Sequence, residues 1–381
     1  MVYLDYNAST PVDLRVFQAM GDIQDAFGNP SSAHHRAGQA AGELIEEARS
    51  RVARMVGRPM QDVIFTSGAT EAAVLGILGV MLKPRGRPNI VIASTEHKAI
   101  VGAAELGARL NGGEVRTASV DKDGLIALED LDRLVDDSVA VVAVMAANNE
   151  TGVLAPVSQI AAFAERAGAL SFVDVTQMVG KGPVDGVSKV ADLMVFSSHK
   201  IYGPKGAGAL VATRQVQKEL VPIVAGGGQE RGLRGGTQNT PAIVGFALAA
   251  ELAMKEQAGD ATRIGQLASE LLNEIEARIS DVQLNGGRVE RLSNTLNLRF
   301  VGADAEAVMA WMPDVLVSAG SACQSAVSTP SHVLTAMGMS EVAASESLRI
   351  SLGRPTTSEE VRAAASAIVD AVTRVRELAS E

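Results

Sequence analysis

Asp192-Leu193-Met194-Val195-Phe196-Ser197-Ser198-His199-Lys200-Ile201-Tyr202-Gly203-Pro204-Lys205-Gly206 decides how the chain is read. It opens as a short apolar run, Leu193 to Phe196, of the length and flanking that suit a buried strand. The run gives way to two serines, a histidine and a lysine, and closes on Gly and Pro. An α/β protein places its chemistry where a strand delivers polar side chains just before a turn. Lys200 is the candidate. An amine held near apolar surface loses stabilising hydration, its pKa falls, and it becomes a nucleophile toward carbonyls. By itself the stretch fits a surface lysine in a turn equally well.

Working outward, three earlier strands end in the same manner. Ile90 to Ala93 precedes Thr95-Glu96-His97-Lys98, Val139 to Met145 precedes Asn148-Asn149-Glu150-Thr151-Gly152, and Phe172-Val173 precedes Asp174-Val175-Thr176-Gln177. Singly, a histidine after a strand is usually a satisfied hydrogen-bonding residue and an aspartate there is usually a helix cap. Four such ends in succession put polar groups along one edge of a mostly parallel sheet, which is the geometry of a ligand site. Val63-Ile64-Phe65 adds a strand, the small-residue turn Thr66 to Thr70, and a helical run from Glu71 to Leu82. Such a helix start can hold an anion. An ordinary helix capped by Thr70 is the more economical reading. Gly206-Ala207-Gly208 and Gly226-Gly227-Gly228 lack the third glycine of a nucleotide-binding pattern.

Near the N-terminus, Gly28 to Ser32 is turn chemistry. Ala41, Leu44, Ala48, Val52 and Met55 then recur at helical spacing until Gly57. The loop from Gly226 to Thr237 reads as flexible and exposed. Its two arginines and threonine also suit phosphate or carboxylate contact. Beyond about residue 255, Ile264, Leu267, Leu271 and Ile275 mark an amphipathic helix, and Asn294 to Phe300 and Ser347 to Leu352 alternate as strands. In the second of these, Arg349 and Ser351 share the face opposite Leu348, Ile350 and Leu352. Thr357 and Glu360 form a capping box for a last helix. The whole suggests a smaller α+β unit on the C-terminal side.

The 381 residues suffice for two domains, and 47% hydrophobic residues with only 3% aromatics imply a core of Ala, Val, Leu, Ile and Met. A net charge of −10 without a Lys/Arg cluster argues against a nucleic-acid footprint. The longest apolar run, Val139 to Ala147, is too short to span a membrane, and no basic-then-apolar leader opens the chain. The five histidines, at positions 34, 35, 97, 199 and 332, show no ligand spacing, so no metal site is expected. The single cysteine, Cys323, allows no intrachain disulfide and fits a reducing cytoplasm. It sits in the small, polar stretch Ser318 to Ser331, where a mobile loop is expected. Those surroundings favour a functional thiol over a buried hydrophobe.

Taken together, these stretches resemble the cysteine desulfurases of the class V aminotransferase group, fold-type I pyridoxal-phosphate (PLP) enzymes. The likeness runs almost end to end, through Tyr3-Leu4-Asp5-Tyr6-Asn7-Ala8, Phe65 to Glu71, Asn148 to Gly152, Ser198 to Gly206, and Gly320-Ser321-Ala322-Cys323. Pro330-Ser331 beyond the cysteine is similar to the subgroup with the longer cysteine loop. The resemblance implies a PLP-dependent transferase fold of α/β class. It has a large domain at 15–255 with a mostly parallel seven-stranded sheet. A smaller α+β domain from 1–14 and 256–381 carries the Cys323 loop, about 318–331.

The resemblance also implies roles. Lys200 would hold the cofactor and later shuttle the substrate α-proton. Asp174 would pair with the pyridine nitrogen. His97 would stack on the ring and help move protons. Gln177 and Asn149 would bond the phenolic oxygen or the substrate. Ala69, Thr70, Ser197 and His199 would hold the phosphate, joined by Thr237 from the other subunit of a homodimer. Arg349 would pair with the carboxylate of L-cysteine, assisted by Asn29. Cys323 would take the sulfur as a persulfide and pass it to an acceptor protein. The acceptor stays open among an iron–sulfur scaffold, tRNA thiolation, DNA sulfur modification and thio-cofactor assembly. Thr176, Gly236 and Ala72-Ala73 depart from residues common in such enzymes without removing a role. A selenocysteine lyase, an aminotransferase of the same fold and an inert sulfur-assembly subunit are the alternatives.

Overall fold

In the computed structural model, which describes residues 1–83, 86–319 and 330–380, the described strands fall in three sheets. In chain order they are β1 (Val2–Tyr3), β2 (Val63–Thr66), β3 (Asn89–Ala93), β4 (Val115–Ala118), β5 (Val139–Met145), β6 (Leu170–Asp174), β7 (Leu193–Ser197), β8 (Gly208–Ala212), β9 (Val282–Leu284), β10 (Thr295–Phe300), β11 (Val315–Leu316) and β12 (Ser347–Ser351). The largest sheet has seven strands in the order β2-β8-β7-β6-β5-β3-β4. Strand β8 runs antiparallel to both of its neighbours, and every other pairing is parallel.

Both faces of this sheet are covered, and that follows from composition. Alternate residues of a strand point to opposite faces, and here both alternates are apolar. Val91, Val142, Val144, Val173, Met194 and Phe196 enter one core, under the helices Arg36–Met55 and Val157–Ala167. Ile90, Ile92, Val141, Ala143, Phe172, Leu193 and Val195 enter another, under Ala69–Met81 and Lys98–Asn111. A strand apolar on both faces is the signature of a parallel sheet buried between helices.

A further core gathers Leu4, Ile264, Leu267, Leu271, Ile275, Leu298, Phe300, Leu348, Ile350 and the apolar face of the helix Ser358–Ser380. Its sheet is antiparallel, in the order β12-β10-β9. The reciprocal bonds of Thr357 and Glu360 cap that last helix, with Thr357 N donating to Glu360 at 3.0 Å and Glu360 N to the Thr357 hydroxyl at 3.2 Å. One helix, Thr240–Glu276, serves both units. Its first half, Ala242 to Ala253, packs in the large-sheet core, and its second, Ile264 to Ile275, in the small one.

Two local expectations change. Gly68, not Thr70, is the residue before the helix Ala69–Met81, and it has no side chain to cap the end. The glycine-rich loop is not simply exposed. Glu230 is buried, its carboxylate receives the Arg49 guanidinium at 2.6 and 3.0 Å, and it accepts the Phe65 N–H at 2.9 Å. A charge taken out of water this completely needs such partners, so the loop is tied to the edge of β2.

Candidate active site

The four strands whose ends carry polar residues are β7, β6, β5 and β3, and they are consecutive neighbours in the sheet. Their C-terminal ends open on one cavity of about 250 Å³, lined among others by Lys200, Asp174, Asn149 and His97. Lys200 sits at the end of a single 3₁₀ turn, Ser198–Lys200, that follows β7. Its amine donates to the carbonyl of Asn7 at 2.5 Å and to that of Ala8 at 2.8 Å. The N-terminal segment thus crosses the mouth of the sheet and is held there, with Thr10 N donating to the His199 carbonyl at 3.0 Å.

One end of the cavity suits an anion. The helix Ala69–Met81 begins there without a capping side chain, and Ala69 and Thr70 line the cavity. The Ser197 hydroxyl accepts the Ala69 N–H at 2.7 Å, which joins the end of β7 to the helix start. Backbone contact is close, since a Cβ on Gly208 would lie 2.5 Å from the Gly68 Cα. His199 adjoins this end, its Nδ1 lying 3.2 Å from the Ser9 hydroxyl. Burial, then Lys200, Lys205 and Lys181, bring its pKa down to about 4, so the ring is neutral at pH 7.

At the other end, His97 Nδ1 accepts the Ala99 N–H at 3.1 Å, which leaves the proton of the neutral ring on Nε2. Burial pushes its pKa below the ordinary value; Asp174 opposes that push, while Lys200 and His332 add to it. Asp174 accepts the Thr176 N–H at 2.8 Å. Gln177 is buried and donates through Nε2 to the Asn7 carbonyl at 3.0 Å.

Arg349 reaches the cavity from β12 in the small sheet. It donates to Asp5 at 2.6 Å and to the Asn149 carbonyl at 3.3 Å, while its Nε is buried with no partner among the described residues. The guanidinium is therefore partly engaged within the chain. Asn29 and Thr237 do not line the cavity. Asn29 is exposed, with its side chain accepting the Ser31 N–H at 2.9 Å, and Thr237 is exposed in the glycine-rich loop. Cys323 lies outside the described residues.

Several residues of the site receive no role from the sequence, although Asn7, Glu96 and Glu150 lie in stretches it singles out. Asn7 is 1% exposed and ties the units together: its Nδ2 donates to the Thr295 hydroxyl at 2.9 Å, and its N–H to that of Ser351 at 2.9 Å. His332 lines the cavity with its Nε2 2.9 Å from the Glu96 carbonyl. Glu96 is fully buried, and burial holds its pKa well above the ordinary carboxyl value. Glu150, also raised by burial, receives the Ser331 hydroxyl at 2.5 Å. Each depends on chain partners remote in sequence, which no local pattern announces.

Comparison with known proteins agrees with this architecture. Residues 2–363 match the class-V aminotransferase family. A cysteine desulfurase of Frankia sp. (strain EuIK1) is 46% identical, over 99% of this chain and 93% of that protein. The solved structure of a NifS-like protein from Rickettsia africae ESF-5 superposes with a TM-score of 0.87 at 30% identity, covering 98% of this chain and 99% of that one. The structure of SspA in complex with cysteine gives a TM-score of 0.81 at 33% identity, over 92% and 99% of the two chains. With the family matched along nearly its whole length and relatives of this identity, the chain belongs to the class-V aminotransferases, among their cysteine desulfurases.

Proposed function

We propose that the cavity holds PLP through Lys200, and that the chain takes sulfur from L-cysteine, releasing L-alanine and leaving a persulfide on Cys323. The carrying observation is that Lys200, Asp174 and His97 from one sheet and Arg349 from another line a single cavity. The family is one of PLP enzymes. The donor set suits that cofactor. The uncapped helix start with Ser197 and His199 suits a phosphate, Asp174 a protonated ring nitrogen, and Gln177 and Asn149 a phenolic oxygen. The Thr176 hydroxyl and Arg349 Nε are buried without partners among the described residues, and both residues line the cavity. Buried polar atoms are normally paired, so these two support a site shaped for a ligand.

Bound there, the cofactor would supply an electron sink for the charge that develops at the substrate α-carbon. Asp174 would favour the positive charge on the ring nitrogen that makes such a sink effective. Lys200, whose amine now rests on the Asn7 and Ala8 carbonyls, would hold the cofactor and would be placed to carry the substrate α-proton. Neutral His97, which lines the cavity, would lie beside the ring and holds a proton at Nε2. Arg349 fixes the substrate carboxylate through its Nε side. The Cys323 thiolate attacks the substrate sulfur; the new S–S bond forms as the C–S bond breaks, and the carbon is protonated to alanine.

The chain is read as a large domain at 15–255 and a smaller one at 1–14 and 256–381, with the division at about residue 255 inside the helix Thr240–Glu276. Thr237, exposed and away from its own cavity, suits a role in the partner's phosphate site in a homodimer. The persulfide is read as passing to an acceptor protein, in a cytoplasmic setting. No helix among the described residues is long and apolar enough to cross a membrane.

The test is direct. Purified with PLP, the protein is expected to be yellow and to release alanine from L-cysteine when a thiol reductant is present. Cys323→Ser should keep the colour and lose the alanine. A colourless protein that takes up no PLP would instead indicate an inert assembly subunit.

A further inference from the structure

Behind the cavity lies a second lysine. Lys181 follows the strand β6 and its turn, four residues after Gln177. As a whole it is half-buried, but its amine turns inward, donating to the Gln177 Oε1 at 2.5 Å and to the Asn7 Oδ1 at 3.0 Å. It shares with Lys200 the lining of a small separate cavity of about 30 Å³. An amine is a donor without acceptor capacity while charged. Whatever amide lies against it must turn its oxygen toward it.

That constraint passes to both partners. Gln177 has its Oε1 fixed by Lys181 and its Nε2 on the Asn7 carbonyl. That carbonyl is also the 2.5 Å acceptor of the Lys200 amine. Asn7 has its Oδ1 held by Lys181 and by Asn294 at 3.1 Å, and its Nδ2 by Thr295 and by the Asn149 carbonyl at 3.2 Å. A glutamine amide left free can present either end to a cavity. Here the oxygen is turned toward Lys181, and the amide nitrogen keeps a second N–H beyond the one given to Asn7.

We propose that Lys181 is a positioning residue: by fixing the amides of Gln177 and Asn7, it makes Gln177 a hydrogen-bond donor toward an oxygen of the bound ring and sets the carbonyl against which the Lys200 amine rests. The inference rests on the PLP reading and adds to it a residue that touches neither cofactor nor substrate. Burial, then the charges of Lys200 and Arg349, hold the Lys181 pKa well below the ordinary value. Its two contacts are both to amide oxygens, Gln177 Oε1 and Asn7 Oδ1, as a donor requires.

The test compares wild type, Lys181→Met, Gln177→Met and the double variant, each titrated with PLP. The readouts are the cofactor dissociation constant and the visible absorption band of the bound cofactor. Losing one orienting hydrogen bond should weaken binding about tenfold and displace the band in Lys181→Met. Neither change should recur when Lys181→Met is made on top of Gln177→Met. An unchanged band and affinity in Lys181→Met overturns the proposal. So does an equal change in both backgrounds, which marks a merely structural lysine. Should Lys181→Met not fold, Lys181→Arg takes its place: a wild-type band, or a shift that vanishes with Gln177→Met, supports the proposal, and a shift that persists overturns it. Wild type that takes up no PLP would overturn the cofactor reading and this proposal together. Uptake by wild type with indifferent variants overturns the proposal alone.

Discussion

The two sheets that meet at the cavity deliver their polar residues in opposite ways. The central strands of the large sheet are apolar between their ends apart from Ser171 of β6, and their reactive polar residues come where strands end, at His97, Asn149, Asp174 and Lys200. The small sheet turns polar in mid-strand. Thr295 and Asn297 of β10, with Ser347, Arg349 and Ser351 of β12, are all buried, while Leu348 and Ile350 between them fill the core. The difference follows from covering. Helices on both faces leave a parallel sheet no free surface except its ends, whereas an antiparallel sheet covered on one face can offer the other to a neighbour. Here that neighbour is the active site: the Asn297 amide donates to the Glu150 carbonyl at 3.3 Å, and Ser351 accepts the Asn7 N–H. Strand ends hold the reactive groups, and the mid-strand face holds the group suited to recognition.

That contrast predicts different kinetic effects on the two sides. Asp174→Asn keeps the acceptor for the Thr176 N–H but removes the charge, so kcat should fall on the order of 10²–10³-fold with KM little changed. Arg349→Lys keeps a charge but loses the planar fork, so KM for L-cysteine should rise about 10–100-fold with a smaller effect on kcat. Steady-state alanine release measures both. If Asp174→Asn acted mainly on KM, or Arg349→Lys mainly on kcat, the division of labour between the sheets would be wrong.

The same contrast explains what was legible in the sequence. Strand ends are local events: a short apolar run followed by polar residues can be read in one window, and β3, β5, β6 and β7 lie where that pattern puts them. The adjacency of β5, β6 and β7 follows chain order, whereas β3 meets β5 only because β4 folds to the outer edge. Strand β8 is harder to see, because Gly208-Ala209-Leu210-Val211-Ala212 follows a glycine pair that reads as a turn, and only its antiparallel pairing with β2 and β7 makes it a strand. The edge strand β4, Val115-Arg116-Thr117-Ala118, carries two polar residues and shows no clear alternation. Arg349 is legible as one face of an alternating strand, but its Asp5 partner is 344 residues away. Asn7, Lys181 and Glu96 act through such contacts too: two of them lie in stretches the sequence singles out, but only the folded chain shows what they touch. Thr70 shows the converse failure: a residue with capping chemistry lies inside the helix, which already starts at Ala69 after Gly68.

Acid stability should also separate the two sides. The histidines with depressed pKa, His97 and His199, both stand at strand ends of the large sheet. Below the ordinary histidine value of 6.5, the unfolded chain takes up a proton at His199 that the folded chain refuses until about pH 4. Stability of the cofactor-free protein is therefore fully kept above pH 6.5 and should decline as pH falls toward 4. His199→Asn should flatten that decline in denaturant melts at several pH values. An unchanged slope would show that the ring is not held neutral. The smallest expected effect lies on the far side of the small unit. Thr357→Ala removes one half of the capping box and should cost about 1 kcal/mol of stability with alanine release unaltered. A loss of activity there would mean that the helix Ser358–Ser380 shapes the cavity as well as the core.

The account turns on which amine receives the cofactor, and two are at hand on either side of the Asn7 carbonyl and side chain. Borohydride reduction of the PLP-loaded protein, followed by peptide mass mapping, decides between them. The predicted result is a single modified peptide with the added mass on Lys200. Modification on Lys181 or at another lysine, or no modification of a protein that has turned yellow, would contradict it.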